Sequence, residues 1–370
     1  MRIGIITEHY NLNYGAVLQA YALQETLVKL GHEVEIINYV YPLSQKYVKL
    51  FGGSIVEKIR TLLFLGKRVK RKNAFMRFIQ RELHISGEML EDSGRINAEE
   101  LPYDLYITGS DQTFNLHLAG GGKHRETFFL PLIKNNKISY ASSMGDKFSD
   151  YSDEEKSWLY DQLKHYKFLS VREEAAAEFL ASLGMARPHV DVDPTLLFDG
   201  DAWSDFSRKT KYAPGSYILF YSVLSAPWVV KNVERIAKKT RLPIIAPHLQ
   251  NRFELKSRFI RAEECGPREF VGLIKNAAMV CTSSFHGTVF SIQFKKKFLS
   301  FSMSEHGRIA NILKKLQLEK CLVSEDDDVI SRIGELDSVD FTNADAILQA
   351  ERKRSVEYLQ KAVKNGGECP

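Results

Sequence analysis

The sequence predicts an α/β protein built as two doubly wound domains with a cleft between them. Three observations lead there. The chain has 370 residues, enough for two domains at roughly 150 residues each. Short apolar runs recur along it in two series, with helical or loop segments between them, as a mostly parallel sheet requires. A polar passage, DGDAWSDFSRKTKYAPGS at residues 199 to 216, reads as irregular chain separating the two series.

Taken in order, MRIGIIT reads as a first strand, AVLQAYALQETLVKL as an amphipathic helix, Gly31 as its terminator and EVEIINY as a second strand. Further strands are expected at DLYIT (104 to 108), KISYAS (137 to 142) and KFLSV (167 to 171). A second series begins near Tyr217 with YILFYSV, LPIIAP, AMVCT and KFLSFS, and ADAILQAERKRSVEYLQKAV reads as a last helix. There is no internal repeat and no low-complexity tract.

The composition, 44% hydrophobic, 26% charged and 11% aromatic, is that of a folded globular chain. Glu8 and His9 end the first apolar run before a signal-peptide core could form, and no run reaches the ~20 apolar residues of a spanning helix, so a cytoplasmic protein is expected. The four cysteines, Cys265, Cys281, Cys321 and Cys369, lack the spacing of a zinc site or a disulfide scaffold and read as reduced thiols. A net charge of +5 gives only a weak pull on anionic partners, and no nucleic-acid partner is expected. The basic segment GKRVKRKNAFMRFIQR, residues 66 to 81, reads either as a solvated helix face or as a surface for an anionic membrane or a phosphorylated ligand.

In open α/β sheets ligands bind outside the carboxyl ends of the strands, where helix amino termini offer free N–H groups. At one such end AMVCT runs into SSFHG and then TVFSIQF. Ser283 and Ser284 are natural helix caps, Gly287 allows close backbone approach, and His286 either faces a ligand there or is a histidine tied to a backbone carbonyl. Other strand ends carry the Asn11, Asn13 and Gly15 loop, then Ser110, Asp111 and Gln112, then Arg172-Glu173. An arginine at a helix start opposes the helix dipole, which suits either a bound anion or a structural salt bridge. Asp193 reads as a plain Asp-Pro turn. The chain has no GxGxxG after its first strand, no GxxxxGK[ST], no HExxH and no GxSxG.

NYGAVLQAYAL, YDLYITGSDQTFN, ISYASSMG, SVRE, DVDPTLLF, GPREF and SSFHGTVFSIQF together resemble the polysaccharide pyruvyl transferase family, in order over about residues 1 to 325. The resemblance implies two Rossmann-like domains facing a central cleft in a GT-B-like fold, here 1–205 on the acceptor side, 206–340 on the donor side, and 341–370 as a helix and tail. It implies ketal formation on a hexose of a capsular or exopolysaccharide precursor. Phosphoenolpyruvate is the co-substrate, and no cofactor or metal is expected, because the donor already carries an activated enol phosphate.

His286 and Arg172 match the positions of the expected catalytic roles, in one site on the cleft. Ser283, Ser284, Phe285, Gly287, Thr288 and Arg308 are expected on the donor, and Asn13, Gly15, Ser110, Asp111 and Gln112 on the acceptor. Some branches of the family carry Arg-Leu-His-Gly where this chain has Ser284-Phe285-His286-Gly287. A second cation is therefore expected from Arg308, Arg268, Lys295, Lys296 or Lys297. The basic segment suggests an acceptor presented at the inner face of a membrane on a lipid carrier. Two other readings remain open: a nucleotide-sugar glycosyltransferase on the same plan, and a non-enzymatic glycan-binding protein.

Overall fold

The computed structural model describes residues 1–41, 65–118, 122–212, 215–224, 226–248, 259–304 and 307–367. Cys369 and most of the apolar run before the basic segment lie outside them. The chain forms two compact units. One comprises residues 1–49, 76–197 and 350–370, the other residues 50–75 and 198–349.

In the first unit, β1 (Arg2–Ile6) leads into helix α1 (Tyr14–Lys29) and β2 (Glu33–Ile36). Asn13 caps α1, its side chain accepting from Gly15 N and Ala16 N, and Gly31 closes it in the left-handed region at φ 88°. Helix α2 (Leu65–Glu82) follows, its residues up to Phe75 belonging to the second unit and the rest to the first, then β3 (Leu105–Thr108), β4 (Lys137–Ser139), α3 (Asp153–Leu163), β5 (Ser170–Val171), α4 (Glu174–Ser182) and β6 (His189–Val190). Helix α3 starts at a capping box in which Ser152 and Glu155 satisfy each other's backbone N–H.

The strands β2, β1, β3 and β4 lie side by side in that order, all parallel. Bridges from Ile138 to Phe168 and from Ser142 to Val171 carry the ladder on to β5, which pairs with β6. At the other edge Ile85 pairs with Ile36, and Gln24 on α1 holds this segment by accepting from His84 N at 2.7 Å. Counting that segment as a strand, the order is 3-2-1-4-5-6-7, the 3-2-1-4-5-6 order of doubly wound dinucleotide-binding sheets with β6 added at the edge.

The second unit opens with α5 (Gly200–Phe206), inside the passage expected to be irregular. The apolar residues of this polar stretch explain the difference. Trp203 is fully buried and meets the Phe290 ring edge-on at 4.9 Å, so two aromatic anchors turn the stretch into a helix. There follow β7 (Ile218–Tyr221), α6 (Pro227–Thr240), β8 (Ile244–Ala246), β9 (Ile260–Arg261), α7 (Pro267–Asn276), β10 (Met279–Thr282), α8 (Phe285–Gln293), β11 (Lys297–Phe301), α9 (Arg308–Lys315), β12 (Leu322–Val323) and α10 (Val329–Glu335). Helix α11 (Phe341–Gly366) contributes residues to both units. The parallel sheet runs β12-β11-β10-β7-β8-β9, again the 3-2-1-4-5-6 order. Each sheet thus has a switch point, between β1 and β3 in one unit and between β7 and β10 in the other. Among the described residues no helix is long and apolar enough to cross a membrane.

One buried charge marks the amino-terminal edge of the first sheet. Lys137 donates to Phe129 O and Leu130 O, each at 3.0 Å, and its ammonium lies 4.7 Å from the centre of the Tyr166 ring. Burial outweighs these contacts and, with repulsion from Lys134, pulls its pKa down to about 7. The unfolded lysine titrates near ~10.4, so between pH 7 and pH 10 the unfolded chain holds the proton more tightly than the folded one. Stability from this group therefore rises with pH across that window and is lost as pH falls through 7. Lys137→Met should flatten the dependence of the urea midpoint on pH between 7.5 and 9.5, and an unchanged slope would show that the burial penalty is absent.

Candidate functional site

The second unit presents SSFHG at its switch point. Thr282, the last residue of β10, donates through Oγ1 to Tyr221 O at 2.6 Å and accepts from Ser284 N at 3.0 Å. Ser283 Oγ accepts from Val223 N at 2.9 Å and Leu224 N at 3.1 Å and lies 2.9 Å from Ser222 Oγ. These bonds lock the loop after β7 to the loop after β10. Ser284 caps α8, accepting from Gly287 N at 3.4 Å.

A side chain on Gly287 has no room: a Cβ there would stand 2.2 Å from Thr282 Oγ1. His286 is therefore carried in the first turn of α8, buried, with its ring edge-on to Phe285 at 5.3 Å. The first N–H groups of a helix lack intrahelical partners and carry the positive end of its dipole, so this turn can receive an anion. Thr288 Oγ1 donates to Ser284 O at 3.1 Å and meets Ser300 Oγ at 2.7 Å, which ties α8 to β11. Ser283 and Thr288 thus shape the turn through internal bonds. Arg308 opens α9 in the same unit.

Of the other cations considered, Lys295 pairs with Asp345 at 3.0 Å, Lys297 pairs with Asp337, and Lys296 donates to Lys275 O at 2.8 Å. Arg268 donates to Phe206 O at 3.2 Å and stacks over the Phe206 ring. The basic segment forms α2, and three of its cations are also engaged. Lys67 donates to Arg261 O at 3.1 Å, Lys70 pairs with Glu264 at 3.4 Å, and Arg71 is buried against His248. Phe75, Phe78 and Ile79 are buried as well. The helix is thus packed along one side, while Arg77, Gln80 and Arg81 are exposed on it.

The first unit gathers charge at the carboxyl ends of β3 to β6. Arg172 follows β5, with its guanidinium buried between two carboxylates: Nη1 donates to Asp193 Oδ2 at 2.7 Å and Nε to Glu173 Oε1 at 3.1 Å. Burial alone would lower the pKa of this group, but Glu173, Asp193 and Asp111 outweigh it and hold the charge in place. Asp193 does make the Asp-Pro turn, Oδ1 accepting from Thr195 N at 3.0 Å and Thr195 Oγ1 at 2.6 Å, and its second oxygen anchors Arg172. Glu173 Oε1 also accepts from Ser143 Oγ at 2.7 Å.

Asp111 and Ala141, in the loops after β3 and β4, lie in the left-handed region at φ 64° and 44°. Such backbone is held only when the surroundings over-determine it. Here Ser143 N donates to Asp111 O at 2.8 Å, and Ser110 Oγ donates to Ala141 O at 2.7 Å.

A second buried ion pair was not legible in the sequence. Arg125 pairs with Glu8, donates through Nε to Asn115 O at 3.2 Å, and bonds Gln112 O, while Tyr41 donates to Glu8 Oε1 at 2.9 Å. It pins the Asp111-Gln112 loop to the end of β1. The sequence signals Glu8 only as the charge that ends an apolar run, and Arg125 only as one basic residue beside a Gly-rich stretch.

Of the expected acceptor residues, Ser110, Asp111 and Gln112 belong to this loop cluster, and Asn13 and Gly15 to the capped start of α1, all in the first unit. Arg172 belongs to that unit and His286 to the other. Breaking a buried pair strands a charge and typically costs about 3–5 kcal/mol. Asp193→Asn keeps a good capping side chain but removes the charge facing Arg172. A loss of that size in urea denaturation is the expected result, and a loss below ~1 kcal/mol would show that the pair contributes little.

Three solved structures with the same fold are a candidate UDP-N-acetylglucosamine 2-epimerase from Listeria monocytogenes, MnaA from S. aureus in complex with UDP, and the UDP-GlcNAc 2-epimerase of Neisseria meningitidis bound to UDP-GlcNAc. The first superimposes with a TM-score of 0.58 at 10% identity, over 98% of this chain and 95% of the other. The second gives 0.55 at 14% identity, over 100% and 98%. The third gives 0.53 at 11% identity, over 98% and 100%. At such identities the likeness is one of fold, and it supports the α/β, GT-B-like class with two Rossmann-like units. No sequence among curated proteins matches the chain. The family model for polysaccharide pyruvyl transferases matches residues 13–305, which take in α1, the loops after β3 to β6 and the SSFHG turn, and the chain belongs to the polysaccharide pyruvyl transferase family.

Proposed function

We propose that the protein transfers the three-carbon unit of phosphoenolpyruvate to two hydroxyls of a hexose in a surface-polysaccharide precursor, forming a cyclic pyruvate ketal and releasing phosphate. The observation that supports this most directly is the SSFHG turn. In a chain of this family it sits at the switch point of the second sheet, with His286 in the first turn of α8. The donor is a small trianion, and a helix amino terminus is a natural receptor for its phosphate or carboxylate.

In this reading the second unit takes the donor. The first turn of α8 and Arg308 hold its anionic groups, and His286 supplies a proton to the donor's methylene carbon as that carbon becomes a methyl group. The resemblance gives Arg172 a catalytic role beside His286. Two contacting carboxylates already neutralise it, so we assign it to the acceptor loops, where it fixes Glu173 and Asp193. Carboxylates and carbonyls suit sugar hydroxyls, which donate hydrogen bonds, better than they suit an anion. No metal is proposed, since the departing phosphate is already activated as an enol ester.

The structural neighbours bound to UDP or UDP-GlcNAc keep a nucleotide-sugar transferase as the competing reading. Incubation with phosphoenolpyruvate and with nucleotide sugars separately, over a panel of hexoside acceptors, distinguishes the two. Free phosphate and a mass gain of one pyruvyl unit are expected, with no free nucleotide and no loss of rate in chelator. Release of nucleotide without phosphate would overturn the proposal. His286→Gln should lower turnover by ~100-fold or more while the protein stays folded. A folded variant within a factor of a few of the parent rate would remove His286 from the chemistry.

A further inference from the structure

A second histidine stands at the other switch point. His9 follows β1, three residues past its end, in the loop that leads to Asn13 and α1. It is 1% exposed. Its Nδ1 lies 3.2 Å from Thr7 O. A backbone carbonyl can only accept, so Nδ1 carries the hydrogen and, in the neutral ring, Nε2 is the bare, basic nitrogen. Nε2 is buried with no hydrogen-bond partner among the described residues. Burial lowers the pKa of the ring, outweighing the Thr7 carbonyl and the Asn38 side chain, which both favour the charged ring, and the neutral form results.

The orientation of the ring is built in from several elements. Thr7 Oγ1 donates to Ser110 O at 3.1 Å and accepts from Gln19 Nε2 at 2.9 Å, and Gln19 Oε1 accepts from Ser110 N at 3.1 Å. The carbonyl that sets the tautomer of His9 is thereby clamped to α1 and to the end of β3, the two elements that define this switch point. Leaving a buried polar nitrogen unsatisfied costs about 1–3 kcal/mol, so a native site that does so calls for a partner. The missing partner must be a hydrogen-bond donor, because the open atom is a lone pair. An anion fails that requirement and a hydroxyl meets it.

The geometry points to His9 as the proton acceptor for a sugar hydroxyl in the first unit. The inference rests on the proposed pyruvyl transfer for its chemistry. As the hydroxyl oxygen bonds to the former enol carbon of the donor, its O–H breaks and the proton passes to Nε2. Of the two protons lost by the two hydroxyls, one balances the proton gained at the methyl carbon and the other leaves with phosphate. Gln19, Thr7 and Ser110 act as positioning residues for the ring.

The test uses the full-length protein, selectively labelled with 15N-histidine, and the variants His9→Gln and His9→Ala. Phosphate release from phosphoenolpyruvate is measured over a panel of methyl hexopyranosides, and thermal melts confirm that the variants fold. His9→Gln is expected to lower kcat by ~100-fold with little change in KM for phosphoenolpyruvate, and imidazole should restore part of the rate of His9→Ala. In the parent protein the Nε2 resonance should be that of an unprotonated nitrogen and should shift when an accepted hexopyranoside is added. A parent protein that releases no phosphate, with the Nε2 shift still present, would sink the pyruvyl reading and keep the hydroxyl site. Normal turnover by a folded His9→Gln would sink the inference and keep the reading. An Nε2 already hydrogen-bonded in the free protein and unmoved by every sugar would mean a structural water only, and would likewise overturn the inference.

Discussion

The first unit depends on a guanidinium buried between two carboxylates. Arg172, Asp193 and Glu173 follow β5 and β6, and the parallel register that sets Ser170 against His189 and Val171 against Val190 is what brings them together. A charge removed from water at this depth is tolerable only if its partners are fixed, and here each partner is itself bonded onward. Asp193 holds Thr195, and Glu173 holds Ser143. Ser143 N reaches Asp111 O in turn, and Arg125 ties the following Gln112 back to Glu8. The loops at five strand ends are thus one connected polar network, which allows Asp111 and Ala141 to keep left-handed backbone that would relax in isolation.

The two sheets share one strand order but use their switch points differently. After β10 the chain offers donors: a capped helix start, the backbone N–H groups of its first turn, and a histidine within that turn. After β1, β3 and β5 it offers acceptors: carboxylate oxygens, carbonyls and the bare nitrogen of His9. One strand order therefore carries two different sets of exposed polar groups. An architecture of this kind hosts many chemistries, and the difference lies in which atoms the loops expose.

Most of the strands could be read from apolar runs because a parallel strand buried on both faces must be apolar throughout. The elements that escaped were the edges, β9, β12 and the segment around Ile85. Each pairs over only one or two residues and carries no periodicity. Helix α5 escaped because its burial rests on Trp203 and Phe206 within an otherwise polar stretch. The absence of a GxGxxG motif did not mislead about the fold. That motif reports a pyrophosphate pressed against the backbone, whereas the strand order follows from the crossovers alone. Here side-chain caps, Asn13 and Ser284, open the corresponding helices.

The sequence by itself determined the alternation of strands and helices, the caps, and which loops carry polar residues, because these depend on neighbours a few positions apart. It placed His286 at a strand end for the same reason. Only the tertiary structure decided what those residues face. Arg172 and Asp193 are 21 positions apart and Glu8 and Arg125 are 117 apart, and no local pattern encodes either pairing. His9 looked like a charge-side residue ending an apolar run. Its buried, tautomer-fixed ring arises because β1 lies beside β3 and Gln19 of α1 bonds Thr7 and Ser110 at their ends, which leaves one ring nitrogen without a partner among the described residues.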